Sequence, residues 1–322
     1  MNLINPTPQN PPVGGGRSQT THNILMIEPV AFGFNVQTAV NNYFQQPGTD
    51  TDADIQAQAL DEFKDMVGLL QSKGIHVMVV KDTLEPHTPD SIFPNNWVSF
   101  HKGGQAVLYP MFAENRRAER RNDIFQFLTE QGMIIQNIGN YTFWEEEGLY
   151  LEGTGSMVLD RPNKIAYAAL SERTNKGLFL QFCTCFDYKP VYFSAYQTVN
   201  GKRMSVFHTN IMMAVADEYA VVCLDAIDNK TERAHLVNSL EDSGKDIIPI
   251  TEHQMNRFAG NMLQVENEAG KLYLVLSQSA YDSLDQKQIN QLSSYNELIV
   301  LSIPTIEQVG GGSVRCMMAE VF

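Results

Sequence analysis

Apolar residues recur at helical spacing over residues 54–73 of the chain. They are Ile55, Ala59, Phe63, Met66, Val67 and Leu70. Gly74 follows the last of them, so the pattern predicts an amphipathic helix that ends at this glycine. Apolar runs at residues 24–27 and 76–81 predict one strand before the helix and one after it.

A succession of two strands, a helix and a further strand recurs along the rest of the chain. The predicted strand pairs are 95–101 with 105–111, 149–159 with 164–169, 204–216 with 219–224, and 262–266 with 271–277. The predicted helices are 114–130, a helix from 171, 230–243 and 284–292, and the further strands are 133–138, 247–250 and 298–303. Near-regular ββαβ modules of roughly sixty residues indicate an α/β repeat architecture that closes into a ring.

The modules follow one another without a linker, so we expect a single domain over residues 23–322. Residues 1–22 precede the first predicted strand and begin with a stretch rich in Asn, Pro and Gly. We expect them to form a disordered tail. Residues 36–54 are polar and mixed, and they predict a long loop with some helix.

Composition narrows the class of protein. The chain has 322 residues, 43% hydrophobic and 19% charged, with a net charge of −14 and a pI of about 4.9. The chain therefore lacks the excess of basic residues that is typical of a nucleic-acid-binding protein. The sequence also lacks an apolar run of the ~20 residues that cross a bilayer and a signal-peptide pattern. Four cysteines in a chain of this length do not form a disulfide framework, so we expect a cytoplasmic protein with reduced thiols.

Two segments carry candidate catalytic side chains. Cys316 follows three consecutive glycines, residues 310–312, whose backbone can approach a ligand closely. The alternative is a flexible turn followed by a buried cysteine. His208 lies within a strand-like pattern, and alternation would place it on the same strand face as Asn210. A single histidine in a strand is also compatible with a hydrogen-bonded core residue.

Two carboxylates add to this set. Glu152 ends an apolar run and precedes a Gly-Thr-Gly turn, where a buried carboxylate needs a partner to offset its desolvation. Asp90 begins a loop that leads into a predicted strand, where turn formation is the alternative role.

In their order along the chain, these four residues resemble the guanidino-group-modifying enzymes of the pentein fold. These include arginine deiminases, amidinotransferases and dimethylarginine dimethylaminohydrolases. The resemblance covers residues 23–322 and implies a five-bladed ββαβ propeller with a central channel. It also implies that Cys316 is the nucleophile and His208 the general acid and base. Glu152 matches a residue that contacts the histidine or the terminal nitrogens of the substrate, and Asp90 matches a substrate-binding aspartate.

The same resemblance implies two arginines that bind the substrate carboxylate. Arg173 lies in a segment that resembles a Leu-Ser-x-Arg-Thr motif of the family, and Arg117 resembles the second arginine. A solvated helix start is the alternative role for Arg117 and its neighbour Arg116.

The chain departs from the deiminase pattern at three positions. Asn96 and Asn210 stand where deiminases have aspartates, and Gly155 replaces a third aspartate. A guanidinium cation has only donors and favours carboxylates, whereas a neutral ureido group also offers an acceptor oxygen. An asparagine supplies both a donor and an acceptor, so the two amides favour a ureido substrate. The amides and the Pro-Asn-Asn-Trp stretch of residues 94–97 resemble the branch of citrulline hydrolases and of arginine and succinylarginine dihydrolases.

The resulting hypothesis is a hydrolase of C–N bonds that converts citrulline to ornithine, ammonia and carbon dioxide. It requires a small amino-acid substrate and neither a metal nor an organic cofactor, nor a nucleic-acid or membrane partner. An arginine or succinylarginine deiminase or dihydrolase, an amidinotransferase, and a non-catalytic binding protein similar to the ribosome anti-association factor are the alternatives. The sequence leaves homo-oligomerisation and the physiological pathway open.

Overall fold

A computed structural model describes residues 3–4 and 19–322 of the chain. Within them, five sheets share one topology, in which the first strand runs antiparallel to the second and the second runs parallel to the third. One or two helices connect the second strand to the third in each sheet, as a parallel pair requires. The repeating module predicted from the sequence is therefore present as a mixed α/β fold.

The strands and helices have the following bounds. The first sheet contains Ala319–Val321, Asn23–Glu28 and His76–Lys81, with helix Asp52–Ser72. The second contains Val98–His101, Gln105–Leu108 and Asn137–Asn140, with helix Asn122–Glu130. The third contains Val158–Asp160, Ile165–Ala169 and Lys189–Phe193, with helix Lys176–Phe186. The fourth contains Met213–Val215, Tyr219–Val222 and Asp246–Pro249, with helix Lys230–Asp242. The fifth contains Leu263–Glu266, Leu272–Ser277 and Glu297–Leu301, with helices Gln278–Ser283 and Gln286–Tyr295.

Shorter elements connect these sheets. A strand Leu3–Ile4 runs parallel to the last strand of the second sheet, and a hairpin of Tyr196–Val199 and Lys202–Ser205 follows the third sheet. The short α-helices are Gly153–Ser156, Thr209–Met212 and Glu252–Met255. The 3₁₀ helices are Pro94–Asn96, Glu114–Glu119, Thr142–Glu147 and Leu224–Ala226, and Ile306–Gly310 forms a π-helix.

The first sheet joins residues that are far apart in the sequence. Its first strand, Ala319–Val321, comes from the C-terminal end of the chain and pairs antiparallel with Asn23–Glu28, with Ala319 opposite Leu25. In the other four sheets the antiparallel pair is adjacent in sequence. The C-terminal strand therefore completes the first sheet, which combines strands from near both ends of residues 19–322.

Buried apolar clusters link each sheet to the next. One joins the first and second sheets, one the second and third, one the third, fourth and fifth, and one the fifth and first. The cluster between the first and second sheets includes Leu25 and Phe100, and that between the second and third includes Val107 and Ala168. The cluster of the third, fourth and fifth sheets includes Val191, Val221 and Leu274, and that between the fifth and first includes Val275 and Met26. The core therefore lies between the sheets, and each sheet depends on its neighbours for burial.

The end of the predicted tail is packed. Residues 1–2 and 5–18 lie outside the described residues, but Gln19 donates two hydrogen bonds, at 2.8 and 2.9 Å, to the carbonyls of Leu159 and Val215. Thr21 donates to the carbonyl of Val321 at 2.8 Å. Ordered structure therefore begins before the predicted boundary at residue 23, because these polar side chains satisfy backbone acceptors of three different sheets.

Two predicted strands are much shorter in the structure, and this corrects the prediction. Residues 149–159 and 204–216 end in strands of three residues each, preceded by the short helices Gly153–Ser156 and Thr209–Met212. Most of their apolar residues are buried, but in the first segment the strand pattern is interrupted where Gly153 adopts a positive φ of 47°. The third strand of the third sheet, Lys189–Phe193, and the hairpin after it were not predicted.

The predicted helix over residues 114–130 is divided into a 3₁₀ helix, Glu114–Glu119, and an α-helix, Asn122–Glu130. The predicted helix from residue 171 begins at Lys176, because Asn175 caps it by accepting a hydrogen bond from the Leu178 amide. No helix in the described part of the chain combines the length and the apolar character that a bilayer span requires.

Candidate active site

The segments that lead into the first strands of the sheets surround one pocket. Together with its opening to solvent, the pocket has an empty volume of about 380 Å³. Residues from these segments that line it are Phe93, Asn96, His208, Ile211, Phe258, Asn261, Gly310, Gly311, Gly312 and Cys316. Thr38, Asn42, Asp90, Arg116, Arg173 and Phe207 complete the lining. The repeated topology therefore brings chemically active side chains from distant parts of the sequence into one place.

His208 and Glu152 form a hydrogen-bonded pair at the pocket. His208 Nε2 lies 2.7 Å from Glu152 Oε2, and the side chains are 3% and 0% exposed. Glu152 Oε1 accepts a second hydrogen bond from the Phe112 amide at 2.9 Å. Glu152 itself does not line the pocket but lies behind the histidine. The carboxylate therefore orients the imidazole, and its buried position is offset by two donors.

The charges around this pair determine its protonation. Burial raises the pKa of Glu152, but Arg173, whose NH1 lies 3.6 Å from Oε2, and the hydrogen bond from His208 lower it to about 2. Burial lowers the pKa of His208 to about 4, although Glu152 opposes this shift. At neutral pH the carboxylate is therefore ionised and the imidazole neutral. Because Nε2–H donates to Glu152, Nδ1 is left as the unprotonated nitrogen.

Cys316 lies against two amide side chains. Its Sγ accepts hydrogen bonds from Asn261 Nδ2 at 3.3 Å and Asn210 Nδ2 at 3.5 Å, and the residue is 5% exposed. Hydrogen bonds donated to sulfur stabilise a thiolate more than a thiol. Asn210 Oδ1 is buried and unpaired among the described residues. The sulfur therefore lies in a pocket with donors directed at it.

Glycines allow the cysteine loop and the histidine to pack closely. A Cβ on Gly310 or Gly312 would approach the Phe93 ring to within 2.8–2.9 Å, and Gly311 has a φ of 63°. A Cβ on Gly155 would lie 2.5 Å from Asn96 Nδ2 and 2.9 Å from His208 Nδ1. The absence of a side chain at residue 155 is therefore a steric requirement, since an aspartate would occupy the space of both neighbours.

Asp90 contributes a carboxylate to the pocket wall. Its Oδ2 accepts hydrogen bonds from Asn35 Nδ2 at 2.8 Å and Thr38 Oγ1 at 3.1 Å, and lies 3.8 Å from Arg116 Nε. Its Oδ1 is buried without a partner among the described residues. Burial raises the pKa of Asp90, and Arg116 opposes this effect. An acceptor in this position can bind a donor group of a ligand.

Arg116 lines the pocket, whereas the predicted Arg117 does not. In the 3₁₀ helix Glu114–Glu119, residues three apart share a face, so Arg116 Nε and NH2 bind both oxygens of Glu119 at 2.8 and 2.9 Å. Arg117 points away and donates to the Met111 carbonyl at 3.2 Å. The prediction of Arg117 as a pocket residue is therefore wrong by one position.

Arg173 lies at the pocket as predicted. Its Nε donates to Asn41 Oδ1 at 2.8 Å, its NH2 donates to the Thr38 carbonyl at 2.8 Å, and its guanidinium lies 4.8 Å from the centre of the Phe207 ring. Burial lowers the pKa of Arg173, with Glu152 opposing. Arg173 thereby links the loop of residues 35–45 to the His208–Glu152 pair.

Asn96 also lies at the pocket, and its amide orientation is fixed. Arg116 NH1 donates to its Oδ1 at 2.8 Å, and its Nδ2 donates to Asn95 Oδ1 at 3.1 Å. Asn210 contacts Cys316 but is outside the lining. His208 and Asn210 do not share a strand face, because His208 caps the short helix Thr209–Met212 that contains Asn210.

Sequence reasoning missed Asn261 and the loop residues Thr38 and Asn42. Asn261 precedes the first strand of the fifth sheet by two residues, as Asn96 precedes that of the second. This positional equivalence was readable from the repeat. Thr38 and Asn42 come from the polar loop of residues 36–54, whose sequence gives no sign that it folds over the pocket.

A family profile described as "N,N dimethylarginine dimethylhydrolase, eukaryotic" matches residues 28–322. The chain belongs to this family. Its members' description as hydrolases agrees with the expected membership of the pentein superfamily of guanidino-modifying enzymes, which is confirmed. The expected hydrolysis of C–N bonds agrees with the activity that this family description names. Among curated proteins, none matches the chain.

Solved structures share the fold of this family member. ArgZ, an arginine dihydrolase from the ornithine-ammonia cycle in cyanobacteria, is 15% identical with a TM-score of 0.71; the alignment covers 93% of this chain and 40% of ArgZ. The chain thus spans well under half of whole ArgZ. Against the N-terminal domain of ArgZ, the identity is 15%, the TM-score 0.70 and the coverage 93% and 97%. DDAH from Pseudomonas aeruginosa, complexed with citrulline, is 15% identical with a TM-score of 0.61 and coverage of 94% and 99%.

Proposed function

We propose that this enzyme hydrolyses the ureido group of citrulline to give ornithine, ammonia and carbon dioxide. The observation that carries the proposal is the fixed orientation of Asn96. Its Oδ1 accepts from Arg116 NH1 at 2.8 Å, so its Nδ2 is the group directed toward Gly155 and His208. Nδ2 is a donor, and the ureido oxygen is an acceptor that a guanidinium lacks. Asn210 lies outside the lining but contacts Cys316, and its Oδ1, unpaired among the described residues, offers an acceptor for a ureido N–H group that reaches the sulfur.

Cys316 and His208 divide the chemistry between nucleophile and proton carrier. The Cys316 thiol gives its proton to Nδ1 of His208 and the resulting thiolate attacks the ureido carbon; His208 then passes the proton to the departing amine, which leaves as ammonia. The resulting thiocarbamate is hydrolysed by a water that His208 deprotonates, which breaks the C–S bond and restores the thiol. The carbamate of ornithine then loses carbon dioxide, so one water is consumed overall.

The remaining charged side chains suit the ends of an amino acid. Asp90 Oδ1, buried and unpaired among the described residues, is an acceptor for the substrate ammonium group. Arg173 NH1 approaches Glu152 only at the 3.6 Å distance of a loose ion pair, which leaves it a donor for the substrate carboxylate. Arg117, which faces away from the pocket, has no part in this assignment.

The fold proposal that accompanies this function is a five-bladed propeller formed by one domain. Its support is the set of apolar clusters that link each sheet to the next and return from the fifth sheet to the first. The pairing of Ala319–Val321 with Asn23–Glu28 is a second support, because it closes the first sheet with the last strand. The pocket would then lie at one end of the central channel.

A guanidino substrate, either arginine or N,N-dimethylarginine, is the second candidate. Two observations favour it: the family description names dimethylarginine, and the unpaired carboxylate oxygen of Asp90 suits a cation as well as an ammonium group. An arginine dihydrolase would release ornithine, carbon dioxide and two molecules of ammonia, whereas a deiminase would stop at citrulline and one ammonia. An amidinotransferase would form product only with an amine acceptor.

The decisive experiment incubates the purified chain separately with citrulline, arginine, N,N-dimethylarginine and succinylarginine. Ammonia, dimethylamine and the amino-acid product are quantified in each mixture, with and without an added amine. We expect ornithine and one ammonia from citrulline, with the highest kcat/KM of the set. A higher kcat/KM for a guanidino compound would contradict the ureido proposal and support the second candidate.

A further inference from the structure

Asn261 is a buried asparagine whose side chain contacts the sulfur of Cys316 with both of its polar atoms. Nδ2 lies 3.3 Å from Sγ and Oδ1 lies 3.7 Å from it, and the residue is 1% exposed. The nitrogen is the nearer atom, so Asn261 donates to a thiolate and can accept the hydrogen of a thiol. Its Nδ2 is closer to the sulfur than that of Asn210, at 3.5 Å.

Two backbone groups fix the orientation of this amide. Oδ1 accepts a hydrogen bond from the Arg315 amide at 3.1 Å, and Nδ2 donates to the Asn210 carbonyl at 2.9 Å. A flipped amide would place an oxygen against the Asn210 carbonyl and a nitrogen against the Arg315 N–H, and both bonds would be lost. The N–H group directed at Sγ is therefore imposed by the backbone on either side.

The backbone before Asn261 is held equally closely. A Cβ on Gly260 would lie 2.2 Å from the Ile211 carbonyl oxygen, so the segment packs directly against the short helix Thr209–Met212. Arg315 immediately precedes the cysteine. Asn261 thus connects the His208 segment to the cysteine loop, and its donor cannot move without displacing one of them.

We propose that Asn261 is a positioning residue that stabilises the thiolate formed at Cys316 and aims it at the substrate. The inference deepens the proposed function, since it rests on Cys316 acting as the nucleophile. A donated N–H stabilises the anion relative to the thiol and restricts the rotation of the sulfur about its side-chain bond. Asn261 acts through Cys316.

Several charged or titratable groups also surround the sulfur. Asp90, Arg116, Arg173 and His208 line the same pocket, Glu152 lies behind His208, and Arg315 is adjacent in sequence. These groups stay unchanged when residue 261 alone is replaced. A shift in the reactivity of the Cys316 thiol on that replacement therefore measures the effect of the Asn261 amide.

The test measures the rate of alkylation of Cys316 by iodoacetamide between pH 5 and pH 10, read by mass spectrometry of the peptide that contains it. Peptide-level detection separates Cys316 from Cys183, Cys185 and Cys223. Asn261→Asp keeps the shape and the acceptor for Arg315 but replaces the donor with a negative charge. We expect the midpoint of its profile to rise by at least about one pH unit, which is roughly a tenfold slower reaction near neutral pH. Asn261→Ala should shift the midpoint in the same direction by less.

Asn296→Asp is the matched control. Asn296 is also buried and hydrogen-bonded, with its Nδ2 donating to the Leu292 carbonyl at 2.8 Å, but it does not line the pocket. Its profile for Cys316 should equal that of the unaltered protein. Folding of each variant is checked by thermal unfolding.

Unchanged alkylation profiles in folded Asn261→Asp and Asn261→Ala would overturn the inference, and so would the failure of both variants to fold, which would make the role structural. Alkylation requires no substrate. The result therefore stands apart from the citrulline proposal, whose failure would appear only in the product assay.

Discussion

The two walls of the pocket differ in how they are built. On one wall, which we call the charged wall, His208 and Arg173 form a buried ionic network with Glu152 behind them, and each residue is at most 3% exposed. On the other, the amide wall, Asn261 and, behind the lining, Asn210 direct neutral amide donors at Cys316. The charged wall determines the protonation of His208, whereas the amide wall contacts Cys316 without adding charge. In the proposed function, this separation would let a neutral ureido group bind beside an ionic network.

The two walls also differ in the free energy that is lost when one of their side chains is removed. Removing one partner of a buried ion pair leaves an uncompensated charge, at a cost of about 3–5 kcal/mol. Removing one amide leaves a neutral group unpaired, at about 1–3 kcal/mol. The charged wall should therefore be sensitive in both stability and activity, and the amide wall mainly in activity and substrate choice.

The largest expected effect is on Cys316, where the two walls meet. Cys316→Ala should reduce kcat for citrulline on the order of 10³-fold or more while the fold is retained, because the nucleophile is lost. Turnover of citrulline by the purified variant is the measurement, and Cys185→Ala is the control. Substantial residual activity in Cys316→Ala would show that another group attacks the substrate.

The charged wall is tested by Glu152→Gln. The variant keeps the shape but loses the charge that holds His208 and balances Arg173, so kcat should fall about 10²-fold or more, the range for loss of an acid–base function. Thermal unfolding should also begin at a lower temperature. Glu145→Gln is the control, because Glu145 pairs with arginines outside the pocket. Equal activity of the two variants would separate Glu152 from catalysis.

The charged wall should also make the stability of the fold depend on pH. Burial lowers the pKa of His208 to about 4, and burial, Arg173 and His208 together bring the pKa of Glu152 to about 2. For both groups the unfolded chain binds the proton more readily, so their contribution to the free energy of unfolding should be lost as pH decreases, for His208 from about 6.5 to 4 and for Glu152 from about 4.5 to 2. Buried carboxyls with a raised pKa, such as Glu119, act in the opposite sense, so the comparison with a His208 variant isolates the pair. Urea unfolding at a series of pH values measures this free energy. His208→Asn should flatten the slope between pH 6.5 and 4, and an unchanged slope would refute the assignment.

The amide wall and its neighbour Asn96 should determine the charge of the substrate. Replacing Asn96 and Asn210 together by aspartate should lower kcat/KM for citrulline and raise it for arginine. Each position should contribute about 1–3 kcal/mol, since a carboxylate facing the ureido oxygen leaves a buried acceptor unsatisfied. That corresponds to roughly a factor of 5 to 150 per position. If the unaltered protein already prefers arginine, the amides do not select a neutral group.

The sequence predicted some strands nearly within their observed bounds and missed others. Strand His76–Lys81 was predicted with its observed bounds, residues 262–266 include Leu263–Glu266, and residues 271–277 include Leu272–Ser277, whereas Lys189–Phe193 was missed. The well-predicted strands are short, mostly apolar runs whose residues are mostly buried. Residues 149–157 are mostly buried but mix apolar residues with Glu152, glycines and hydroxyl side chains, so their pattern did not distinguish a strand from the loop and helical turn that they form.

The residues of the candidate site were also predicted unevenly. Cys316, His208 and Asp90 were found from residue type and order because each supplies a reactive group, and Glu152 because a buried carboxylate needs a partner. Asn261 was missed because an asparagine before a strand is indistinguishable from a turn residue until the modules are superposed. Arg117 was chosen over Arg116 because its segment resembles a family motif, and that resemblance does not show which of the two neighbouring arginines the 3₁₀ helix turns inward.

The smallest effect is expected at Arg117, which lies one residue from the pocket. Arg117→Ala should change kcat/KM for citrulline by less than about threefold and stability by less than ~1 kcal/mol, because it loses only a partly exposed ion pair and one backbone contact. Arg116→Ala should be far more damaging, since it leaves Glu119 buried without its partner and frees Asn96. Kinetics and urea unfolding of both variants measure the difference. A tenfold higher KM in Arg117→Ala at unchanged kcat would instead give Arg117 the carboxylate-binding role and place the substrate outside the pocket between the two walls.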